Sequence, residues 1–316
     1  MKKIIVIFLS IIISCSNKSD KKIPVIGFLD LLQDETLAQA KDGFYKALTE
    51  SGFDEKNKTI EIIYRNAQGD QPSLLQACDY MIAQNVDLIA ANPTLSTISA
   101  IQKTKTIPVF MMVSPRPDLA GLTASDGKSP VNLFGVYETL DYIDTSVMMI
   151  KKVFPAVKKV GAIYNQSEPQ SVNALNEIKK ACEKEGIELI SQPVNSSNET
   201  QLVVQSLINK PIDAFFALPD NVVFSSMEVI VKICDQAKVP VFTSEEGLVK
   251  RGAIAAFGAD MYQWGYQSGK QAAQFLMQKS LQGIRPEMVK IRKKVFNSEK
   301  ATMYNVVFDS TFTSVR

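Results

Sequence analysis

The sequence predicts an α/β protein of two similar lobes, each a parallel sheet flanked by helices, joined by a hinge of three chain crossings. From Ile23 onward, short apolar runs alternate with amphipathic stretches, which is the order that βαβ units of a parallel sheet require. The pattern then repeats, because Gly27 and Gly161 are separated by the same number of residues as Gly52 and Gly186. A chain of 316 residues also exceeds what one hydrophobic core usually organises.

The first half contains four predicted strands separated by three predicted helices. The strand stretches are the apolar or alternating runs at 23–29, 59–67, 86–93 and 107–113. The helical stretches lie between them, at 34–52, 73–85 and 94–105. In the first helix Leu37, Ala40 and Phe44 follow helical spacing, and Gly52 is typical of a helix end.

The second half repeats this order with similar local sequences. "VGAIYN" matches "VIGFLD", "PIDAFFALPD" matches "NVDLIAANPT", and "KVPVFTS" matches "TIPVFMM". "CEKEGIEL" also matches "LTESGFDE". Four landmarks in one order indicate two similar lobes. We expect the first lobe to comprise 23–136 plus 260–283, and the second lobe to comprise 137–259 plus 284–316. The carboxyl ends of both sheets would then face one cleft, where ligands of such sheets bind.

The N-terminus is predicted to be a targeting segment. Two lysines precede the apolar run Ile4–Ile13, which Ser10 alone interrupts; this length suits a signal peptide and is too short to span a bilayer. The run ends at Cys15 in "IISC", which resembles a bacterial lipobox. We therefore expect a signal peptide over 1–15, lipidation at Cys15, a polar tether over 16–22, and a lipid-anchored extracytoplasmic protein. The alternative is an ordinary secretory signal with an incidental cysteine.

Composition argues against several classes of function. The net charge is only +2, whereas a nucleic-acid surface needs a clustered basic excess. The chain has no histidine, the commonest general base and metal ligand. No phosphate-binding glycine motif, nucleophile elbow or zinc-protease motif occurs. Cys78, Cys182 and Cys234 lie in predicted helices and suit a core. We expect no catalytic residue, metal or cofactor.

Polar residues follow the predicted strands, where they would face the cleft. The candidate ligand-binding residues at these strand ends are Asp30, Thr94, Ser114, Asn165, Ser167, Glu168, Ser171, Asp220, Asn221 and Glu245. Hydroxyls and free helix N–H groups suit a carboxylate, and acidic residues suit an ammonium, so the set fits a zwitterionic amino acid. Helix capping is the alternative for two of these sites: Ser167 with Gln170 fits a capping box, and Asp220 fits an N-cap.

Three segments resemble one protein family. "VPVFTSEEGLVKRGAIAAFGADMYQWGYQSGKQAAQFL" at 239–276, "YNQSEPQS" at 164–171 and "LPDN" at 218–221 are similar to motifs of ABC-transporter substrate-binding lipoproteins, a family that includes tryptophan- and phenylalanine-binding members. The resemblance implies a type I periplasmic-binding fold without cofactor. By it, Asn165, Ser167, Glu168 and Ser171, together with Asp220 and Asn221, are site residues. Gln170 stands where the family usually has Asn, and Leu218-Pro219 also departs from its pattern.

The sequence therefore predicts a membrane-anchored, monomeric solute-binding component of an ABC importer. It would capture an amino acid, plausibly an aromatic one, by hinge closure and pass it to a membrane permease. Trp264 is expected to pack in a helix near the hinge and not to line the site. The alternatives are a sugar- or nucleoside-binding protein of the same fold, an extracytoplasmic sensor subunit, and an enzyme with Asp220 or Glu168 as its base.

Overall fold

A computed structural model describes residues 23–315. The predicted signal peptide, the lipidation site at Cys15 and the tether lie outside these residues. Within 23–315, no helix combines the length and the apolar character that crossing a bilayer requires.

The first lobe is built on a six-stranded parallel sheet. Its strands are β1 (Val25–Asp30), β2 (Glu61–Asn66), β3 (Leu88–Asn92), β4 (Val109–Met111), β5 (Leu133–Tyr137) and β11 (Glu287–Met288), in the spatial order β11-β5-β4-β3-β1-β2. Its helices are α1 (Glu35–Glu50), α2 (Gln71–Ala83), α3 (Thr94–Lys103) and α10 (Met261–Gln278). The four strands and three helices predicted in the first half are all present.

The second lobe is built on a seven-stranded sheet. Its strands are β6 (Lys159–Tyr164), β7 (Glu188–Pro193), β8 (Ala214–Ala217), β9 (Val241–Thr243), β10 (Ala255–Ala259), β12 (Arg292–Asn297) and β13 (Thr313–Val315), in the order β13-β12-β10-β9-β8-β6-β7. Its helices are α4 (Tyr142–Val153), α5 (Pro169–Glu185), α6 (Thr200–Ile208), α7 (Asn221–Ser225), α8 (Met227–Gln236), α9 (Glu246–Lys250) and α11 (Ser298–Met303). All pairs are parallel except β10 with β12. The predicted two-lobed α/β class is confirmed.

The chain passes between the two sheets three times. The crossings follow β5, β10 and β11, at residues 138–141, 260 and 289–291. Ion pairs tie them together: Arg292 binds Glu138 with Nη2–Oε1 at 2.6 Å, and Lys293 Nζ lies 2.8 Å from Asp260 Oδ2. The three crossings therefore form one connected hinge.

The third crossing comes later than the sequence suggested. We predicted that residues 284–316 belong to the second lobe, but β11 pairs with β5 of the first sheet, Glu287 opposite Val136. Residues 284–288 therefore stay with the first lobe. A two-residue strand carries no periodicity that a sequence pattern could reveal.

Candidate ligand-binding cleft

A cleft lies between the lobes at the carboxyl ends of strands from both sheets. It holds about 420 Å³ of space free of protein atoms, counting the part open to solvent. Its apolar and aromatic lining consists of Pro93, Val113, Pro115, Leu140, Tyr142, Pro219, Phe224, Met261 and Trp264. Its polar lining consists of Thr94, Ser114, Glu138, Gln170, Asn221 and Glu245. The space suits a small ligand with an apolar body and a few polar groups.

The predicted candidate residues divide into two groups. Thr94, Ser114, Asn221 and Glu245 line this cleft. The other six, which do not line it, are Asp30, Asn165, Ser167, Glu168, Ser171 and Asp220. Four of the ten candidate residues predicted from strand ends therefore line the cleft, two from each lobe.

Glu245 has a buried carboxyl that forms no ion pair with any cation in the part of the chain that the structure describes. Its side chain follows β9 and the residue is 1% exposed. Ser244 Oγ donates to its Oε1 at 3.0 Å, and Tyr142 Oη lies 3.5 Å from the same oxygen. Within residues 23–315 its Oε2 has no hydrogen-bond partner. Burial raises the pKa of Glu245 to about 7, because removal from water penalises the charged form. The cleft thus presents an acceptor that needs a donor.

Glu138 lines the same cleft but is already neutralised. Arg292 binds it through two hydrogen bonds, Nη2 to Oε1 at 2.6 Å and Nε to Oε2 at 3.1 Å. The backbone N–H of Thr139 also donates to its Oε1 at 2.8 Å. A bidentate guanidinium satisfies a carboxylate fully. Glu138 therefore holds the hinge, and Glu245 is the cleft carboxylate left for a ligand cation.

Glu168 lies behind the cleft wall and binds three side-chain amides. Asn165 Nδ2 donates to its Oε1 at 3.2 Å, Asn221 Nδ2 donates to its Oε2 at 2.7 Å, and Gln170 Nε2 also donates to that oxygen. Burial, and then the charge of Asp220, raises the pKa of Glu168 to about 8. Glu168 engages the amide nitrogen of Gln170, and the Gln170 Oε1 is a second buried acceptor that has no hydrogen-bond partner among residues 23–315.

Asp220 is the N-cap of α7. Its Oδ1 accepts from the N–H groups of Val222 at 2.7 Å and Val223 at 3.1 Å. Its Oδ2 accepts from the N–H of Asn165 at 2.7 Å and from the hydroxyl of Ser171. Both oxygens are satisfied by the protein, so the capping interpretation accounts for Asp220 and Ser171. Burial raises the pKa of Asp220.

Asp30 is likewise satisfied within the first lobe. Its carboxyl accepts from Asn92 Nδ2 at 2.8 Å and Tyr64 Oη at 3.0 Å, and Lys41 Nζ lies 3.6 Å away. Its strand-end position thus serves local structure. Burial raises its pKa, with Lys41 opposing the change.

The predicted capping box at Ser167 is wrong. α5 begins at Pro169 with Glu168 as N-cap, and Ser167 is exposed. The N–H of Ser167 donates to Asn165 Oδ1 at 2.9 Å, so Asn165 forms the turn. Gln170 contacts the Glu168 carboxyl and lines the cleft. Proline at the first helical position moves the helix start by one residue, since proline needs no N–H partner there.

The first lobe offers donors to the cleft. α3 begins at Thr94 after Pro93, which supplies no side-chain cap. The backbone bond from Thr97 N–H to Pro93 O is the first of the helix, so the preceding N–H groups lack partners within the helix. The hydroxyls of Thr94 and Ser114 make only long contacts of 3.4 Å to carbonyl oxygens. This end of the cleft favours an anionic group.

Sequence reasoning missed several lining residues. Tyr142, Glu138 and Leu140 lie in or next to the first crossing, whose path no periodicity indicates. Trp264 packs near the hinge as expected, with Nε1 donating to Val136 O at 2.8 Å, but it also lines the cleft, so our expectation that it would not line the site is wrong. Phe224 lies in the short helix α7 after β8, and its apolar character alone gave no signal.

Comparison of the sequence with known protein families gives one match over most of the chain. The family described as ABC transporter substrate binding protein matches residues 22–313. This chain belongs to that family. The resemblance predicted from the sequence is thereby confirmed.

Among characterised relatives of this substrate-binding protein is the tyrosine-binding protein of Clostridioides difficile. It is 34% identical over 270 residues, which cover 85% of this chain and 77% of the relative. A protein of Rickettsia prowazekii, RP367, is 25% identical over 248 residues, covering 78% of this chain and 74% of its own.

Two solved structures bear on the conformation. An ABC domain from Streptococcus pneumonia in complex with L-Trp has a TM-score of 0.85 at 26% identity, covering 93% of this chain and 99% of that one. The ligand-free, open structure of a substrate binding protein with adhesive properties from Clostridium difficile has a TM-score of 0.69 at 29% identity, with the same coverage of 93% and 99%. This substrate-binding protein therefore resembles the L-Trp complex more than the open form, although sequence identity favours the latter.

Proposed function

We propose that this substrate-binding protein captures an aromatic α-amino acid between its lobes and passes it to an ABC permease. In the same proposal it acts as a monomer without catalysis, outside the cytoplasm and held to a membrane through lipidated Cys15. The tyrosine-binding relative and the L-Trp complex support the ligand class.

One arrangement carries the proposal. The unpartnered Oε2 of Glu245 and Oε1 of Gln170, both from the second lobe, face the same cleft as the uncapped start of α3 in the first lobe. An amino acid has an ammonium for the acceptors and a carboxylate for the N–H groups. Only a ligand with both groups satisfies both sides, and only when the lobes are closed.

The walls favour an aromatic side chain. Tyr142, Phe224 and Trp264 supply rings, and three prolines with Val113, Leu140 and Met261 supply apolar surface. Aromatic rings pack well against such surfaces. A sugar instead requires hydroxyl partners around its whole rim, whereas the polar lining here includes Thr94 and Ser114 from one lobe and Gln170, Asn221 and Glu245 from the other.

A thermal-shift screen of ligand-stripped protein tests the ligand class. We expect tyrosine, tryptophan or phenylalanine to raise the melting temperature, because a ligand at 100 times its Kd stabilises by about 2.7 kcal/mol. Sugars and nucleosides serve as the competing class. Stabilisation by these, with no response to any amino acid, would show that the proposal is wrong.

Glu245→Gln tests the ammonium contact. Losing a charge-assisted hydrogen bond costs about 1.5–3 kcal/mol, so we expect the Kd to rise by roughly 10- to 150-fold. Glu183→Gln, an exposed carboxyl on α5, is the matched control and should bind normally. N-acetylation of the ligand should weaken binding to the parent strongly and to Glu245→Gln much less. Equal losses in both proteins would remove Glu245 from the ammonium site.

A further inference from the structure

A second set of contacts between the lobes lies outside the cleft. At this seam, α1 of the first lobe meets α9 and Arg251 of the second lobe. Arg251 Nη1 donates to Asp34 Oδ2 at 2.6 Å. The side chains are 13% and 3% exposed. Neither residue lines the ligand cleft.

Arg251 is held in place by its own lobe. Its Nε and Nη2 bind Glu228 at 2.7 and 2.8 Å, and Nη2 also donates to Phe224 O at 2.7 Å. Nη1 remains free to reach across the seam. Because these contacts do not depend on the other lobe, the guanidinium keeps its orientation when the lobes part, and little side-chain entropy is lost on closure.

Asp34 is likewise held in place by contacts within its own lobe, the first lobe. Its Oδ1 caps α1 by accepting from the N–H groups of Thr36 at 2.8 Å and Leu37 at 3.0 Å. Its Oδ2 is thereby left for Arg251. One carboxylate thus performs two separable tasks, a local cap and a contact between lobes.

The seam is also too close for any side chain at Gly247. A Cβ there would lie 2.3 Å from Thr36 Oγ1 and 2.7 Å from Thr36 Cβ, distances that real Cβ atoms do not adopt. Glycine at this position of α9 therefore permits the close approach of α1 that brings Arg251 to Asp34.

We propose that Asp34 and Arg251 form an interlobe latch that sets ligand affinity without touching the ligand. The pair exists only when the lobes are closed, so its free energy adds to the closed state alone. The apparent affinity of a protein whose competent state is partly populated falls in proportion to that population. The expected change in ligand affinity rests on the proposed function. The expected change in the separation of the lobes does not.

Asp34→Asn and Arg251→Gln test the latch. Asparagine keeps the Oδ1 cap but removes the charge that binds Arg251. We expect the Kd for the aromatic amino acid to rise on the order of tenfold and the radius of gyration from small-angle X-ray scattering to increase. The double variant should match the single variants, because the same contact is lost. Gly247→Ala should push α9 away from Thr36 at the start of α1, so it should also raise the Kd and the radius of gyration.

Asp79→Asn is the matched control. Asp79 pairs with Lys103 at 2.7 Å within the first lobe. Removing its charge should therefore change neither the Kd nor the radius of gyration. The latch is supported if affinity or radius changes in the seam variants and not in this control. It is overturned if both quantities equal those of the parent. If the parent binds no amino acid, the ligand class fails separately, and the ligand-free scattering decides the latch by itself.

Discussion

At the scale of single residues, carboxyls at strand ends take different roles according to their neighbours. Asp220 caps a helix, Glu138 is neutralised by Arg292, and Glu245 is left without a cation among the described residues. Each is almost fully buried. Burial penalises an ionised carboxylate unless a partner compensates for the lost water, so we propose that the ligand's ammonium supplies the partner that Glu245 lacks among the described residues.

We expect ligand affinity to fall as the pH is lowered through 7. In the free protein the pKa of Glu245 is raised to about 7 by burial, and an ammonium ligand favours the ionised form. The bound protein therefore has the lower pKa, and below pH 7 a proton must leave before the ligand binds. The slope should approach tenfold per pH unit between the two pKa values, as measured by calorimetry from pH 8 to pH 5.5.

Glu245→Gln separates this effect from the titration of Glu168, whose pKa is also raised, to about 8. The variant should lose most of the pH dependence. Without ligand, a folded-state pKa above the ordinary 4.5 makes the parent lose stability as pH rises from about 4.5 to 7. The melting temperature of the variant should therefore exceed that of the parent at pH 8. An unchanged pH profile of affinity in the variant would contradict the assignment.

At the scale of elements, α1 and α10 pack backbone against backbone beside the first sheet. A Cβ at Gly265 would lie 1.7 Å from Ala40 O, and one at Gly43 would lie 2.0 Å from Tyr262 O. Both glycines lie inside stretches of helical pattern, where nothing in the local sequence indicates a close contact. Their role depends on a partner helix more than 200 residues away, which local periodicity cannot register.

Gly265→Ala should destabilise the protein by about 1–3 kcal/mol, because the methyl group forces the two helices apart. Helix propensity alone predicts the opposite, a gain in the free energy of unfolding of about 1 kcal/mol. The sign of the measured change therefore decides whether close packing or helix propensity dominates at Gly265. The urea midpoint of unfolding measures it. Gln278→Ala, at the exposed end of α10, is the control and should change little; a stabilised Gly265→Ala would refute the close packing.

At the scale of the whole molecule, the lobes are connected at the hinge, at the seam and through Asn173 and Leu119. Ion pairs of Glu138 and Asp260 bind the crossings to each other, the cleft lies between the sheet ends, and Asp34 with Arg251 joins the lobes at the seam. On the far side Asn173 Nδ2 donates to Leu119 O at 2.7 Å. A closed form held at several points fits the greater similarity to the L-Trp complex.

Membrane attachment belongs to this scale as well, and it is predicted from Cys15 alone. Cys15→Ser should abolish incorporation of a labelled fatty acid and move the protein from the detergent phase to the aqueous phase in Triton X-114 partitioning, because acyl chains supply the membrane affinity. Ser16→Ala is the control and should remain labelled. Retention of the label in Cys15→Ser would leave an ordinary secretory signal as the correct interpretation.

The sequence by itself determined the two-lobed α/β class, the family, and four of the cleft residues: Thr94, Ser114, Asn221 and Glu245. These follow from periodicity and from the rule that strand ends carry ligand sites, both of which act over short stretches of chain. Only the tertiary structure decided that Asp220 caps a helix, that Glu138, Tyr142 and Trp264 line the cleft, and that Arg251 crosses to Asp34. Those outcomes depend on which distant groups pair with each buried charge or fill each gap. A buried charge is stable only with such a partner, and the linear order of residues does not show which distant residues come into contact.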